Sequence, residues 1–234
     1  LLLLSSLFFY TQNPKVETFK ILPKTEVETS LTVINGKSPG KCVFVIGGIH
    51  GDEIAGWKAA NKLKKQIKIK SGTVCIISPA NKTGALEGVR YVEDYSDLNR
   101  AFPGDANGVA ADKLAAAIFE KIKAYSPDIV IDLHEAHILE PGQDFLGSSL
   151  IFTSMDGMED LLPEIIAATE NGEICSDAFN YFGPAPRGSV NRTVCELLKT
   201  PSLTVETYRE YPLSRRINDH CDIVNYILEY YEMV

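Results

Sequence analysis

"KCVFVIGGIHGDE", residues 41–53, runs from a continuous apolar stretch, Cys42–Ile46, through two glycines to a histidine and a glutamate three positions apart. An unbroken apolar stretch of this kind belongs to a strand covered on both faces, since a strand with one wet face alternates. Beyond it Ile54, Trp57, Ala60, Leu63 and Ile67 recur at helical spacing while Lys58, Lys62, Lys64 and Lys65 take the other faces, which predicts an amphipathic helix. A buried strand, a glycine turn and a helix in succession decide between fold classes: they open an α/β unit.

The same alternation continues on both sides. Upstream, "ETFKILP" and "VETSLTVING" read as strands, with "NGKSPGK" as the turn into the central one. Downstream come the buried strand "GTVCIISPAN" and a long loop through "EGVRYVEDYSDLNRAFPGD". A helix follows, with Leu114, Ala117, Ile118, Ile122 and Tyr125 on one stripe, and then the strand "DIVIDLHEA". "SLIFTS", the helical "EDLLPEIIAAT", a Gly- and Pro-rich loop from Asn180 to Ser189, the strand "PSLTVET" and a last helix carrying Ile217, Cys221, Val224, Leu228 and Tyr231 complete the chain. The expected fold is α/β: a mixed, mainly parallel sheet with helices on both faces and functional groups at the carboxyl ends of strands.

With 234 residues, 45% of them hydrophobic, residues 15–234 suffice for one domain around one core. Residues 1–14, "LLLLSSLFFYTQNP", stand apart and read as the remnant of a signal peptide or membrane anchor, too short to span a bilayer as they stand. Such a leader would make the protein extracytoplasmic or membrane-anchored; without that role it is cytoplasmic. A net charge of -8, with 23 Lys and Arg scattered among 31 Asp and Glu, argues against nucleic acid as a partner. Five cysteines without a CxxC pair indicate neither a disulfide framework nor a cysteine metal site.

His50 and Glu53, at the mouth of a helix, can turn their side chains to one point. The glycines around them, Gly47, Gly48 and Gly51, are expected to let the backbone turn and to leave room for a ligand. HxxE alone is a weak signal, because an acidic residue suits any helix N-terminus. His134 in "VIDLHEA" changes the weighing: of four histidines, two stand just past apolar strands. A His and Glu pair with a distant His fits a catalytic zinc site of three protein ligands. Water activated there needs a base, and Glu206, ending "SLTVET", is the leading candidate, with Glu135 and Glu210 read as solvated. Asp52, between the first two ligands, is not expected to be one.

"GGIHGDE", "SDLNRAFPG", "DLHEA" and "TVETYRE", in that order, resemble the zinc carboxypeptidase superfamily, most closely its succinylglutamate desuccinylase/aspartoacylase branch of deacylases, over roughly residues 41–210. The resemblance implies an α/β/α sandwich, one Zn2+ per chain held by His50, Glu53 and His134, and Glu206 as the base. It further implies that Asn99 and Arg100 grip a substrate carboxylate, that Asp97 orients His50, and that Arg90 polarises the scissile carbonyl. It places substrate-selecting groups near Arg187 and Arg192. Tyr208 either donates near the site or packs, His137 lines the cleft, and His220 is read as a helix-surface residue.

Members of that branch carry a β-rich region after the catalytic domain, whereas here one helix follows "TVETYRE". That region shapes a narrow pocket, and its loss leaves an open cleft of carboxypeptidase character as a competitor. The expected function, as the resemblance implies it, is a zinc-dependent amide hydrolase acting on a small carboxylate-bearing amide, an N-acyl amino acid. A carboxypeptidase with an open cleft, acting on peptides such as those of a cell wall, stands as the alternative. A non-catalytic ligand-binding envelope protein is the rival from another class.

Overall fold

The computed structural model describes residues 15–93, 95–136 and 146–234. The leader at 1–14 and His137 lie outside the described residues. Among the described residues eight strands form one sheet: β1 (Lys15–Ile21), β2 (Thr29–Asn35), β3 (Ser38–Gly47), β4 (Ser71–Ile77), β5 (Ile129–Ala136), β6 (Ser149–Phe152), β7 (Asn180–Phe182) and β8 (Ser202–Tyr208). Their order is β1-β2-β4-β3-β5-β8-β6-β7. The central four are mutually parallel, β1, β2 and β4 pair antiparallel, and β6 runs antiparallel to β8. The mixed, parallel-centred sheet of the sequence reading is thus observed.

Strand alternation divides the core. Val43 and Val45 of β3, with Ile131 and Leu133 of β5, pack against α1 (Ile54–Gln66), α4 (Leu161–Glu170) and α6 (Leu213–Tyr230). Phe44 and Ile46 face the other way, with Val130, onto α3 (Ala110–Tyr125) and α5 (Val190–Thr193). Every residue of β5 is buried, as a strand covered on both faces should be. None of the described helices is long and apolar enough to cross a membrane.

Two short elements lay hidden in stretches without helical periodicity. α2 (Lys82–Glu87) is capped by Asn81, whose side chain accepts from the Gly84 N–H at 2.9 Å, and stops at the left-handed Gly88. α5 runs on into a π-helical turn, Val194–Leu198.

The glycines of "GGIHGDE" need a partial correction. Gly48, with φ of +79°, does turn the chain after β3. Around Gly51, however, the space belongs to protein rather than ligand: a Cβ would lie 2.0 Å from the Gly84 carbonyl carbon, so its absence lets α2 press on the histidine loop.

Candidate active site

Because β3, β5 and β8 are adjacent and parallel, their carboxyl ends emerge side by side. His50 and Glu53 follow β3, His134 closes β5, and Glu206 stands opposite His134 in the β5–β8 register. From β3 the chain crosses to β4 on one side, and from β4 it crosses back over β3 to β5 on the other; such a reversal opens a crevice at strand ends. These four residues line a cavity of about 450 Å3 together with Arg90, Asn99 and Arg100.

Within it three buried side chains meet. Glu53 places Oε1 2.7 Å from His50 Nδ1 and Oε2 2.7 Å from His134 Nδ1, and the two Nδ1 atoms are 3.1 Å apart. The far nitrogens are both committed: His50 Nε2 donates to Asp97 Oδ1 at 3.0 Å and His134 Nε2 to Asp132 Oδ2 at 2.8 Å. Ionised carboxylates only accept, so each Nε2 carries a hydrogen, and with a cation in place of the Nδ1 proton the neutral ring would aim its Nδ1 lone pair inward. Two nitrogen lone pairs and a carboxylate then converge with donor atoms within 4.8 Å of one another, a set that fits a divalent cation such as zinc.

The electrostatics express the same demand for positive charge. Burial is the largest influence on each imidazole and lowers its pKa, but nearby carboxylates outweigh it, so His50 is raised and His134 is raised well above the ordinary histidine value. Burial likewise pushes the Glu53 carboxyl up, and the two imidazoles overcome this to hold it well below the usual carboxylate range. A bound cation would satisfy these carboxylates in place of protons.

Asp97 has further partners beside His50. It accepts from the Asn99 N–H at 2.8 Å, capping the turn Leu98–Arg100, and from Arg90 Nη2 at 3.0 Å. Arg90 also donates to Glu53 Oε1 at 3.2 Å, so it sits against a candidate ligand while part of its guanidinium stays exposed. Asn99 is buried; its Oδ1 accepts from the Val190 N–H at 3.1 Å, and its amide nitrogen lies 3.5 Å from His134 Nε2 at the cavity wall. Arg100 is exposed at the rim, with Nη1 donating to its neighbour's carbonyl, Asn99 O, at 2.8 Å.

Asp132 was missed in the sequence, although i and i+2 on a strand share a face and "DLH" puts it beside His134. Two other readings are corrected. Glu135 is not solvated: it points away from His134, is buried, and pairs with Arg216 of α6. His220 is not on a helix surface but fully buried, with Nε2 3.1 Å from Thr207 Oγ1. Glu210 is exposed, as expected. Asp52 turns from the cation position to Arg209, at 3.0 Å. Arg192 is held by Glu196 and the Ala185 carbonyl, Arg187 is exposed outside the cavity lining, and Tyr208 packs edge-on against Tyr211. A second group of donors, Cys175, Asp219 and Asp222, lies on the α6 side, but Asp219 already faces Arg215 at 3.7 Å.

Buried His220 carries a stability prediction. Burial, then the charge of His134, pushes its pKa down to about 3. Between an unfolded value of about 6.5 and that depressed value the unfolded chain takes a proton that the folded chain refuses, so stability falls as pH drops through this window. His220→Gln, which can still bond Thr207, should soften the loss between pH 7 and 5 by roughly 2 kcal/mol at about 1.4 kcal/mol per pH unit below 6.5. Urea midpoints of both proteins at the two pH values check this; equal losses would contradict it.

The fold, a mixed, mostly parallel eight-stranded sheet with helices on both faces, is of the metallocarboxypeptidase-like kind. In sequence, residues 39–138 match the succinylglutamate desuccinylase/aspartoacylase catalytic-domain family. A curated relative, the N-alpha-acetyl-L-2,4-diaminobutyric acid deacetylase of Halomonas elongata, is 34% identical over 107 residues, 44% of this chain and 31% of that one. The matched part therefore spans less than a third of the relative's length. Among solved structures, an aspartoacylase family protein from Mesorhizobium loti superposes with a TM-score of 0.72 at 18% identity, covering 96% of this chain and 72% of its own. A metallo-carboxypeptidase from Burkholderia cenocepacia gives 0.71 at 18%, covering 94% and 65%. Identities this low speak for the fold alone, and scores this close do not separate deacylase from peptidase.

Proposed function

We propose that this chain is a zinc-dependent amide hydrolase that removes acyl groups from N-acyl amino acids. The observation that carries the reading is the convergence of His50 Nδ1, Glu53 and His134 Nδ1 on one point, both rings being held by carboxylates behind them. Zinc at that point would act as a Lewis acid on the scissile carbonyl and make a water more acidic. Glu206, opposite His134, is placed to take the proton of the attacking water and return it to the departing nitrogen. Arg90 offers an exposed part of its guanidinium to the oxygen on which negative charge grows. Arg100 at the rim, with the amide nitrogen of Asn99, would hold the substrate carboxylate.

The deacylase reading draws on the family match and on the Halomonas elongata relative. A carboxypeptidase, the activity named for the Burkholderia cenocepacia structure of like fold, is the second reading, in which the same arginine would hold a peptide carboxyl end. A leader at residues 1–14 acting as a signal or anchor would make substrates outside the cytoplasm, including cell-wall peptides, the relevant ones. Zinc-loaded protein screened against N-acyl amino acids and short L- and D-peptides decides between them. Turnover of the acyl amino acids is expected; turnover of peptides alone would move the assignment to carboxypeptidase, and zinc binding without turnover of either to a non-catalytic binder.

A further inference from the structure

Arg209 stands three residues beyond Glu206, in "TVETYRE", and has no part in the chemistry above. Its guanidinium reaches back over 157 positions to the histidine loop, where Nη1 donates to Asp52 Oδ2 at 3.0 Å and Nη2 to the Asp52 carbonyl at 2.8 Å. Its own N–H donates to the carbonyl of Ala136, two residues past His134, at 3.0 Å. One residue thus touches all three segments of the site: the loop between His50 and Glu53, the end of β5, and the strand that bears Glu206. The two hydrogen bonds to Asp52, one to its carboxylate and one to its carbonyl, use the planar fork that lysine lacks. Both partners are partly buried, with side chains 29% and 17% exposed.

Position 135 repeats the arrangement. Glu135 follows the ligand His134 as Asp52 precedes the ligand Glu53, and it too is held by an arginine from downstream of Glu206, Arg216 of α6. Each ligand-bearing segment is therefore tied, through an acidic neighbour of a ligand, to the same stretch of chain.

We propose that Arg209 is a positioning residue for the metal centre: its grip on Asp52 fixes the His50–Glu53 loop against β5 and β8, setting the distance between the ligands and their alignment with Glu206. The proposal rests on reading His50, Glu53 and His134 as ligands, but not on which bond is hydrolysed.

Its test measures metal binding apart from turnover. Zinc affinity is read by competition with a chromogenic chelator, and site geometry by the visible absorption of the cobalt-substituted protein. Arg209→Met should weaken zinc by about 10- to 100-fold, the usual cost of losing a group that orients ligands, and should alter the cobalt spectrum. Arg209→Lys, which can meet the carboxylate but not the carbonyl in the same geometry, should recover part of the affinity. Asp52→Asn keeps the carbonyl contact, provides the second variant if Arg209→Met fails to fold, and should give an intermediate loss. The double variant Asp52→Asn/Arg209→Met should be no worse than Arg209→Met alone. Wild-type affinity and an unchanged cobalt spectrum in the single variants would overturn the proposal. So would a loss that Lys leaves unrestored and Asp52→Asn does not reproduce, which marks general destabilisation. Weakened zinc in a protein that hydrolyses no amide would sustain this role while removing the hydrolase reading; a wild type that binds no zinc removes both.

Discussion

Glu206→Gln is expected to bind zinc as the native protein does and to lose about 100- to 10,000-fold in kcat, the range for removal of a general base, or about 3–5 kcal/mol of transition-state stabilisation at 1.36 kcal/mol per tenfold. Gln keeps the length of the side chain, so its neighbours in the sheet, His134 and Ser149, are undisturbed. It cannot take a proton. The pH profile provides the second signature. Burial first, with Glu53 adding to it against the two imidazoles, pushes the Glu206 carboxyl up to about 7. A base must be ionised to work, so kcat/KM should fall as the solution becomes more acidic through that pKa. Positive charge from bound zinc would move this limb to lower pH, and the variant should lack it. Unchanged turnover would sink the assignment; of the two other candidates read in the sequence, Glu135 is buried with Arg216 and Glu210 is exposed.

The other large effect belongs to His134→Ala. It removes one of three converging donors and leaves Asp132, buried beneath, without the imidazole it holds at 2.8 Å. Zinc affinity should fall by more than the about 10- to 100-fold that follows loss of a group behind a ligand. The fall is readable as heat stability. A ligand that binds only the folded chain stabilises it by RT ln(1 + [L]/Kd), about 2.7 kcal/mol at a hundredfold excess over Kd. Added zinc should therefore raise the melting temperature of the native protein and leave that of His134→Ala almost unmoved. Equal zinc-induced shifts in the two proteins would show that the metal sits elsewhere.

What could be read from the sequence divides along physical lines. Buried parallel strands announce themselves as apolar runs, so Val43–Ile46, Val74–Ile77 and Ile129–Ile131 were legible, and with them the strand-end positions of His50, Glu53, His134 and Glu206. Groups that act on a ligand from a distant segment leave no periodic trace. Asp132 was visible in principle, a carboxylate two places from a histidine on an apolar strand, yet nothing local says that it bonds the ring. Arg209 and Arg216 find their acidic partners 157 and 81 positions away, and no spacing rule foretells such pairs. His220 was misjudged for a nearer reason: it lies three residues after Ile217 and four before Val224, on the stripe that the helix buries.

The alternation along β5 has a consequence for quality control. Asp132 and His134 face the cavity side while Ile131, Leu133 and Glu135 face α1 and α6. Slipping the strand by one residue would exchange the two sets. Leucine would enter the cavity, and an aspartate and a histidine would be driven into an apolar layer without partners, at a cost of several kcal/mol. The strand out of register is thus too unstable to persist, and few molecules should be folded yet unable to take up metal. Fidelity of the candidate metal site would thus be enforced by the apolar side of the sheet, which has no part in holding a cation.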